Sequence, residues 1–419
     1  MLTLHGLLAA VEAAPPVASA EVVGAALADA LGAREVSFLI ADFSGQSLIR
    51  LSHAATQSDG AASRERWEAV PLVGTPHGRA LAEQRIQLDD QDAGIRLFAP
   101  VTSRGEAVGV LELRLGERPD ERALAAVADA AHALAYVVIA NRRFTDLYEW
   151  GQRSMPLSLE AEIQRRLLPG SYTCEGGQFT LAGWLEPAGD VGGDTFDFSL
   201  ERDTLHLSIT DAMGHTADAA LLATVLVGAL RNGRRRGLDL IDQAQHAHEA
   251  LAEHAAHRHA FVTGQLVRID LRSGSAHIVN AGHPPPLRIR DGRAETITLR
   301  PDTPFGIPRA RPYSAHELEL LPGDRLVFLT DGMLERNAAS ADAAGLLADC
   351  ASCIRAKRCR SSPAPSSPHA AASCATTPPS CASTGTAGRP ETATPAPGRT
   401  ADHSVLGGPP HQRLRLSRR

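Results

Sequence analysis

A chain of 419 residues has room for two or three domains, and 43% hydrophobic residues can supply their cores. A formal net charge of −6 leaves no electrostatic footprint for nucleic acid. No apolar run is expected to span a membrane, and the start MLTLHGLLAAVEAAPP lacks the basic segment of a signal peptide, so a cytoplasmic protein without membrane contact is expected.

Residues 18–140 read as one domain. Glu21–Leu31 has the spacing of an amphipathic helix, Glu35–Ala41 that of a buried strand, and Ser47–Ser52 returns after the Gly45-Gln46 turn. A polar loop, Gln57–Arg66, precedes a short helix at Gly78–Glu83. Strands at Ile95–Val101 and Ala107–Leu115 follow, and a long helix starts at Asp120. His53, His77 and His132 are isolated and read as surface or helix residues rather than ligands.

Helix-compatible sequence continues from Glu121 to Leu168, broken at Pro156. Leu124, Val127, Ala131, Leu134 and Val138 step by threes and fours. That is heptad spacing, which fits either a dimerising signalling helix or a helix packed on its own domain. Residues 141–169 are read as the linker.

From Phe179 the chain turns to strands. They fall at Phe179–Trp184, Phe196–Leu200 and Leu205–Ile209. Helices at Ala217–Asn232 and Leu238–His257 follow. Strands resume at Phe261–Asp270, Ser275–Ala281, Leu287–Arg290, Glu295–Leu299, Ser314–Leu320 and Arg325–Thr330. This order predicts a layered α+β domain over 170–345. Within it, Asp194 enters one strand and Asp211 leaves the next. A hairpin would bring them to the same end. An Asp beside Gly is most often a turn residue, but two converging carboxylates repel unless a cation or a proton lies between them. Asp331, in Thr330-Asp331-Gly332, is a third acid of this kind, and three together point to a metal cluster.

Two resemblances emerge. LFAPVTSRGEAVGVLELRL and ADAAHALAYVVIANRR, with the element order around them, make 18–140 resemble a GAF domain. That implies a sensor with a small ligand, which no motif identifies. AEIQRRLLP, PAGDVGGDTFDF, ITDAMGHTADAALLA, FVTGQLVRIDLRSG, IVNAGHPPPLRI, TPFGI and LPGDRLVFLTDGMLERN occur in that order. Together they resemble the PPM-type metal-dependent protein serine/threonine phosphatases of the stage II sporulation protein E branch. The resemblance implies a β-sandwich flanked by helices, holding two Mn²⁺ or Mg²⁺ ions. Asp194, Asp211, the backbone carbonyl of Ala212 and Asp331 match the metal site. His215, His283, Asp190 and Gly193 are candidates for substrate contact or support of the ligands. The implied substrate is a phosphorylated signalling partner, an anti-sigma-factor antagonist.

Two features depart from the family pattern. Thr216 replaces the glycine after the His of the GHG turn. Residues 346–419 lack aromatic residues and are rich in Ala, Pro, Ser, Thr and Arg, so a disordered tail, with a frameshift as its suspected origin, is expected where the family builds its last helices and strand. Five of the six cysteines lie there; Cys350 and Cys353 lack the second pair of a zinc site. Asp402 is a further candidate ligand. The sequence therefore supports a GAF-regulated phosphatase, with a catalytically impaired phosphatase-like sensor or binding protein as the alternative. A nucleotide cyclase fits less well, for want of a purine-binding segment.

Overall fold

A computed structural model describes residues 3–51, 68–91, 94–186, 193–214, 217–255 and 260–331, together with the backbone of a strand at 411–418. The first unit contains α1 (Leu4–Ala13), α2 (Ser19–Leu31), β1 (Glu35–Ala41), β2 (Ser47–Arg50), β3 (Ala69–Pro71), α3 (Pro76–Glu83), β4 (Gln87–Gln91), β5 (Gly94–Ser103), β6 (Glu106–Leu115) and α4 (Glu121–Asn141). Its strands form an antiparallel sheet in the order β3-β2-β1-β6-β5-β4. Alternation explains its two faces. Phe38 and Ile40 of β1 pack with Leu7, Val23, Leu27 and Leu134 on the side of α1, α2 and α4. Leu39 and Ala41 face Leu81 of α3 on the other side. This GAF-like unit contains α1, β3 and β4 in addition to the expected elements; QLDDQ of β4 has no apolar alternation to announce it.

The α4 stripe goes to its own domain. Val127, Ala131, Leu134 and Val138 are buried in the first core, so a dimer seam along that stripe is not available. Asp120 caps the helix by accepting from the Ala123 N–H at 2.7 Å. By length and mean hydropathy (1.8) α4 is, against expectation, apolar enough to cross a membrane; 44% of that window is buried inside the protein. Nor does the helix run on to Leu168. It ends at Asn141, and two short helices follow, α5 (Leu147–Gly151) and α6 (Leu159–Leu167).

The second unit comprises β7 (Thr173–Glu175), β8 (Phe179–Glu186), β9 (Thr195–Leu200), β10 (Thr204–Ala212), α7 (Ala217–Arg235), α8 (Leu240–Ala255), β11 (Val262–Asp270), β12 (Ser275–Ala281), β13 (Leu287–Arg290), β14 (Arg293–Thr296), β15 (Ala315–Glu319), β16 (Arg325–Leu329) and β17 (His411–Arg418). One sheet runs β15-β12-β11-β10-β9 and the other β14-β13-β16-β17-β8-β7. Between them lies a core of Phe179, Leu181, Phe196, Leu207, Ile209, Val267, Ile278, Leu326 and Phe328. Alternate residues of the first sheet, Leu266 and Val279, turn outward to Leu226, Leu230 and Leu251 of α7 and α8. This is the sandwich with flanking helices that the resemblance implies. Phe196 is 1% exposed, and truncating such a side chain to Ala costs about 3–5 kcal/mol.

Most of 346–419 lies outside the described residues. The exception is β17, which pairs with β16 (Phe328 opposite Leu414) and with β8 (Leu181 opposite Leu416). The position the sequence reading left without a strand is thus filled; the alternation in Arg413-Leu414-Arg415-Leu416 suits a strand, and only long-range pairing makes it one.

The units are joined by more than the linker. The Glu175 N–H donates to the Arg104 carbonyl at 2.8 Å. The Arg165 guanidinium lies 3.4 Å from the centre of the Phe43 ring. Arg153 pairs with Glu162 at 2.7 Å, and Arg166 with Glu149 at 3.0 Å.

Candidate metal centre

The site begins with a hairpin. Strands β9 and β10 pair antiparallel from Leu200 opposite Leu205 to Thr195 opposite Thr210. One step further in that register sets Asp194 opposite Asp211. The Thr195 and Thr210 hydroxyls, 2.5 Å apart, hold this end of the ladder. Asp331 arrives from the other sheet, two residues past β16. The hydroxyl of Thr330 donates to Asp194 Oδ2 at 3.3 Å and so ties the two sheets together at the acids.

Gly193 has a steric reason to be glycine. The Ala212 N–H donates to its carbonyl at 3.3 Å, and a Cβ built on Gly193 would stand 2.6 Å from the Ala212 oxygen. Any side chain there would push away the carbonyl that the resemblance assigns to a cation.

Burial and mutual charge dominate the electrostatics. Asp194 is 5% exposed. Burial, and after it the charges of Asp211 and Asp331, push its carboxyl well above the usual range, against a hydrogen bond from Thr330. Burial and then the charge of Asp331 push Asp211 up to about 7, although a hydrogen bond with Asp194 works the other way. Among the described residues no three acids stand in a closed cation-gripping geometry. The donor set nevertheless fits a hard divalent cation: carboxylate oxygens held close at a buried strand end, where opposite charge would relieve their repulsion.

His283 is 3% exposed. Its Nδ1 lies 3.0 Å from the Thr263 hydroxyl, and its backbone N–H donates to Asn280 Oδ1 at 2.9 Å. Burial lowers its pKa to about 4, so the ring is neutral near pH 7. It holds the turn after β12 against β11 and is too enclosed to meet a substrate. Asp190, His215, Thr216 and Asp402 lie outside the described residues.

Two supporting residues, Gln164 and Thr330, carry no role in the sequence reading, whereas Asp197, which flanks Asp194, reads there as a supporting or structural acid. Gln164, fully buried on α6, donates its side-chain amide to the backbone carbonyl of Asp194. Thr330 was legible only as a neighbour of Asp331. Asp197 binds Arg231 at 2.9 Å and Arg234 at 3.2 Å, fastening α7 to β9. The signal for Gln164 is present in AEIQRRLLP, but a strip of helix does not reveal which strand end it will face.

Residues 201–373 match the family model described as Stage II sporulation protein E; the match includes Asp211 and Asp331 and begins after Asp194. Phosphoserine phosphatase RsbP of Bacillus subtilis (strain 168) is 23% identical over 186 residues, 43% of this chain and 46% of RsbP. The chain thus spans about half the length of that curated relative. Among solved structures, the RsbU and RsbW domains of Rv1364c from Mycobacterium tuberculosis show 22% identity, covering 58% of this chain and 62% of that one, with a TM-score of 0.41. The GAF domain of an Acinetobacter phosphoenolpyruvate-protein phosphotransferase shows 15% identity, covering 34% of this chain and 93% of that one, with a TM-score of 0.28. Over residues 201–373 the second unit is thus similar to the stage II sporulation protein E family, and over 186 residues the chain is similar to a phosphoserine phosphatase.

Proposed function

We propose that the second unit is a metal-dependent phosphoprotein phosphatase that releases phosphate from a phosphoserine or phosphothreonine, with the GAF-like unit regulating it. The observation that carries this reading is the meeting of Asp194, Asp211 and Asp331 from the ends of both sheets. Asp194, Asp211, the Ala212 carbonyl and Asp331 would hold two Mn²⁺ or Mg²⁺ ions. Such ions neutralise phosphoryl oxygens and make water acidic enough to attack in line. The chain's own part is to fix the acids. Thr330 orients Asp194, Gln164 anchors its backbone, and Gly193 lets Ala212 approach. No nucleophilic side chain is needed.

By family the substrate is a phosphorylated anti-sigma-factor antagonist met in the cytoplasm. RsbP, named as a phosphoserine phosphatase, supports the serine specificity. The purified chain should hydrolyse p-nitrophenyl phosphate and a phosphoserine peptide only with added Mn²⁺ or Mg²⁺. Asp211→Asn should lower the rate at least a hundredfold. Equal rates in the two proteins would sink the phosphatase reading. A second reading, a phosphatase-like binding protein, is favoured by the open arrangement of the three acids. It predicts Mn²⁺ binding in calorimetry without turnover.

A further inference from the structure

A cavity of about 300 Å³ lies between the two units, away from the three acids. Its walls include Phe43 from the β1–β2 turn, Arg142 at the end of α4, Gln152 after α5, Arg165 of α6, Tyr172 before β7 and Trp184 of β8. Both units therefore build it.

Two guanidinium groups in this wall are short of acceptors. Arg142 is half-buried, and among the described residues its Nε has no hydrogen-bond partner. The carboxylates of Glu106 and Glu149 act on it only through space, and burial pushes its pKa down. Arg165 is likewise half-buried with an unsatisfied Nε; its head lies over Phe43 and reaches the Tyr172 hydroxyl at 3.3 Å. A guanidinium kept from water without an acceptor is costly, and its planar fork matches a carboxylate. Phe43, Tyr172 and Trp184 bring aromatic rings to the same wall, one face of Phe43 being covered by Arg165. The wall also carries Asp42, Glu106, Glu149 and Glu162; Ser154 donates to Asp42, and Glu149 and Glu162 pair with Arg166 and Arg153, which leaves the Nε groups of Arg142 and Arg165 to be answered by a ligand with a flat apolar body and an anionic end.

We propose that this cavity binds a small aromatic carboxylate, its ring among Phe43, Tyr172 and Trp184 and its carboxylate taken by Arg142 and Arg165. The site draws on both units and stands whether or not the second unit turns over a substrate. Because Gln164, next to Arg165, holds the Asp194 backbone, the ligand would sit one residue from the support of the metal centre.

The test is calorimetric titration of the full chain with 2-naphthoate and, separately, with its uncharged analogue 2-naphthamide. One saturable site is expected for the acid, with the amide at least tenfold weaker. Arg142→Gln and Arg165→Gln should each weaken the acid at least tenfold. Arg142→Gln should melt within a few degrees of the parent, since among the described residues its Nε has no hydrogen bond to lose. No saturable binding at millimolar 2-naphthoate would overturn the proposal. So would equal affinity for acid and amide on the unaltered chain, or binding unchanged in both variants.

Discussion

Glu112 of β6 is 8% exposed, yet its surroundings favour the charged form. Burial alone would raise its pKa. Hydrogen bonds from His77 (3.1 Å), Arg96 and Arg50 (2.9 Å) outweigh burial and bring it down from 4.5 to about 2. A depressed carboxyl stabilises the fold above its unfolded pKa and loses that contribution as pH falls toward the folded value. The first unit should therefore weaken between about pH 4.5 and pH 2 by on the order of 2 kcal/mol from this group, solvent screening reducing the roughly 3 kcal/mol that the full depression would give. Glu112→Gln should be less stable at pH 7 and flatter across that window in chemical denaturation. An unchanged acid limb would refute the account. At the metal centre, Gly193→Ala should preserve the fold but weaken Mn²⁺ binding, because the new Cβ displaces the Ala212 carbonyl. A parent chain at a hundredfold excess of Mn²⁺ over its Kd gains about 2.7 kcal/mol. The variant should show a much smaller rise in melting temperature; an equal rise would show that the Ala212 carbonyl is no ligand.

At the scale of elements, the β9–β10 hairpin was the most legible part of the chain. Phe196, Phe198, Leu205, Leu207 and Ile209 alternate, and alternation fixes both strand and face. Its register then sets Asp194 opposite Asp211 with no further information. The α4 stripe was ambiguous, since a heptad of apolar residues suits a partner helix and a sheet equally well. The structure spends it on the sheet. Strands β4 and β17 were illegible for different reasons. One is polar and held by its neighbour β5; the other lies in a segment whose composition argues against structure, and only pairing with β8 and β16 makes it a strand. Removing 411–419 should leave β8 and β16 without the strand between them. Thermal unfolding of that truncated chain should keep the transition of the first unit and lose or greatly lower that of the second. Two unaltered transitions would mean that β17 adds nothing to the fold.

For the molecule as a whole, the contact between units is close enough to be tested by one methyl group. Gly45 turns with φ +64°, and a Cβ there would meet the Trp184 ring at 2.5 Å. Gly45→Ala combines a left-handed position with this clash. It should loosen the junction, seen as faster tryptic cleavage at Arg153, while each unit keeps its own melting transition. Cleavage no faster than in the parent would show that the junction tolerates the methyl.

The place of β17 also bears on how the second unit reaches its fold. Neighbouring segments make the sheet of β9 to β12, and it can form as the chain emerges. The opposite sheet joins β8 near the start of the unit to β17 far along the chain, a pairing of high contact order and slow closure. In the interval β8 and β16 present open edges that could pair with another molecule. Refolding of the second unit should thus be slower than that of the first, and its yield should fall as protein concentration rises.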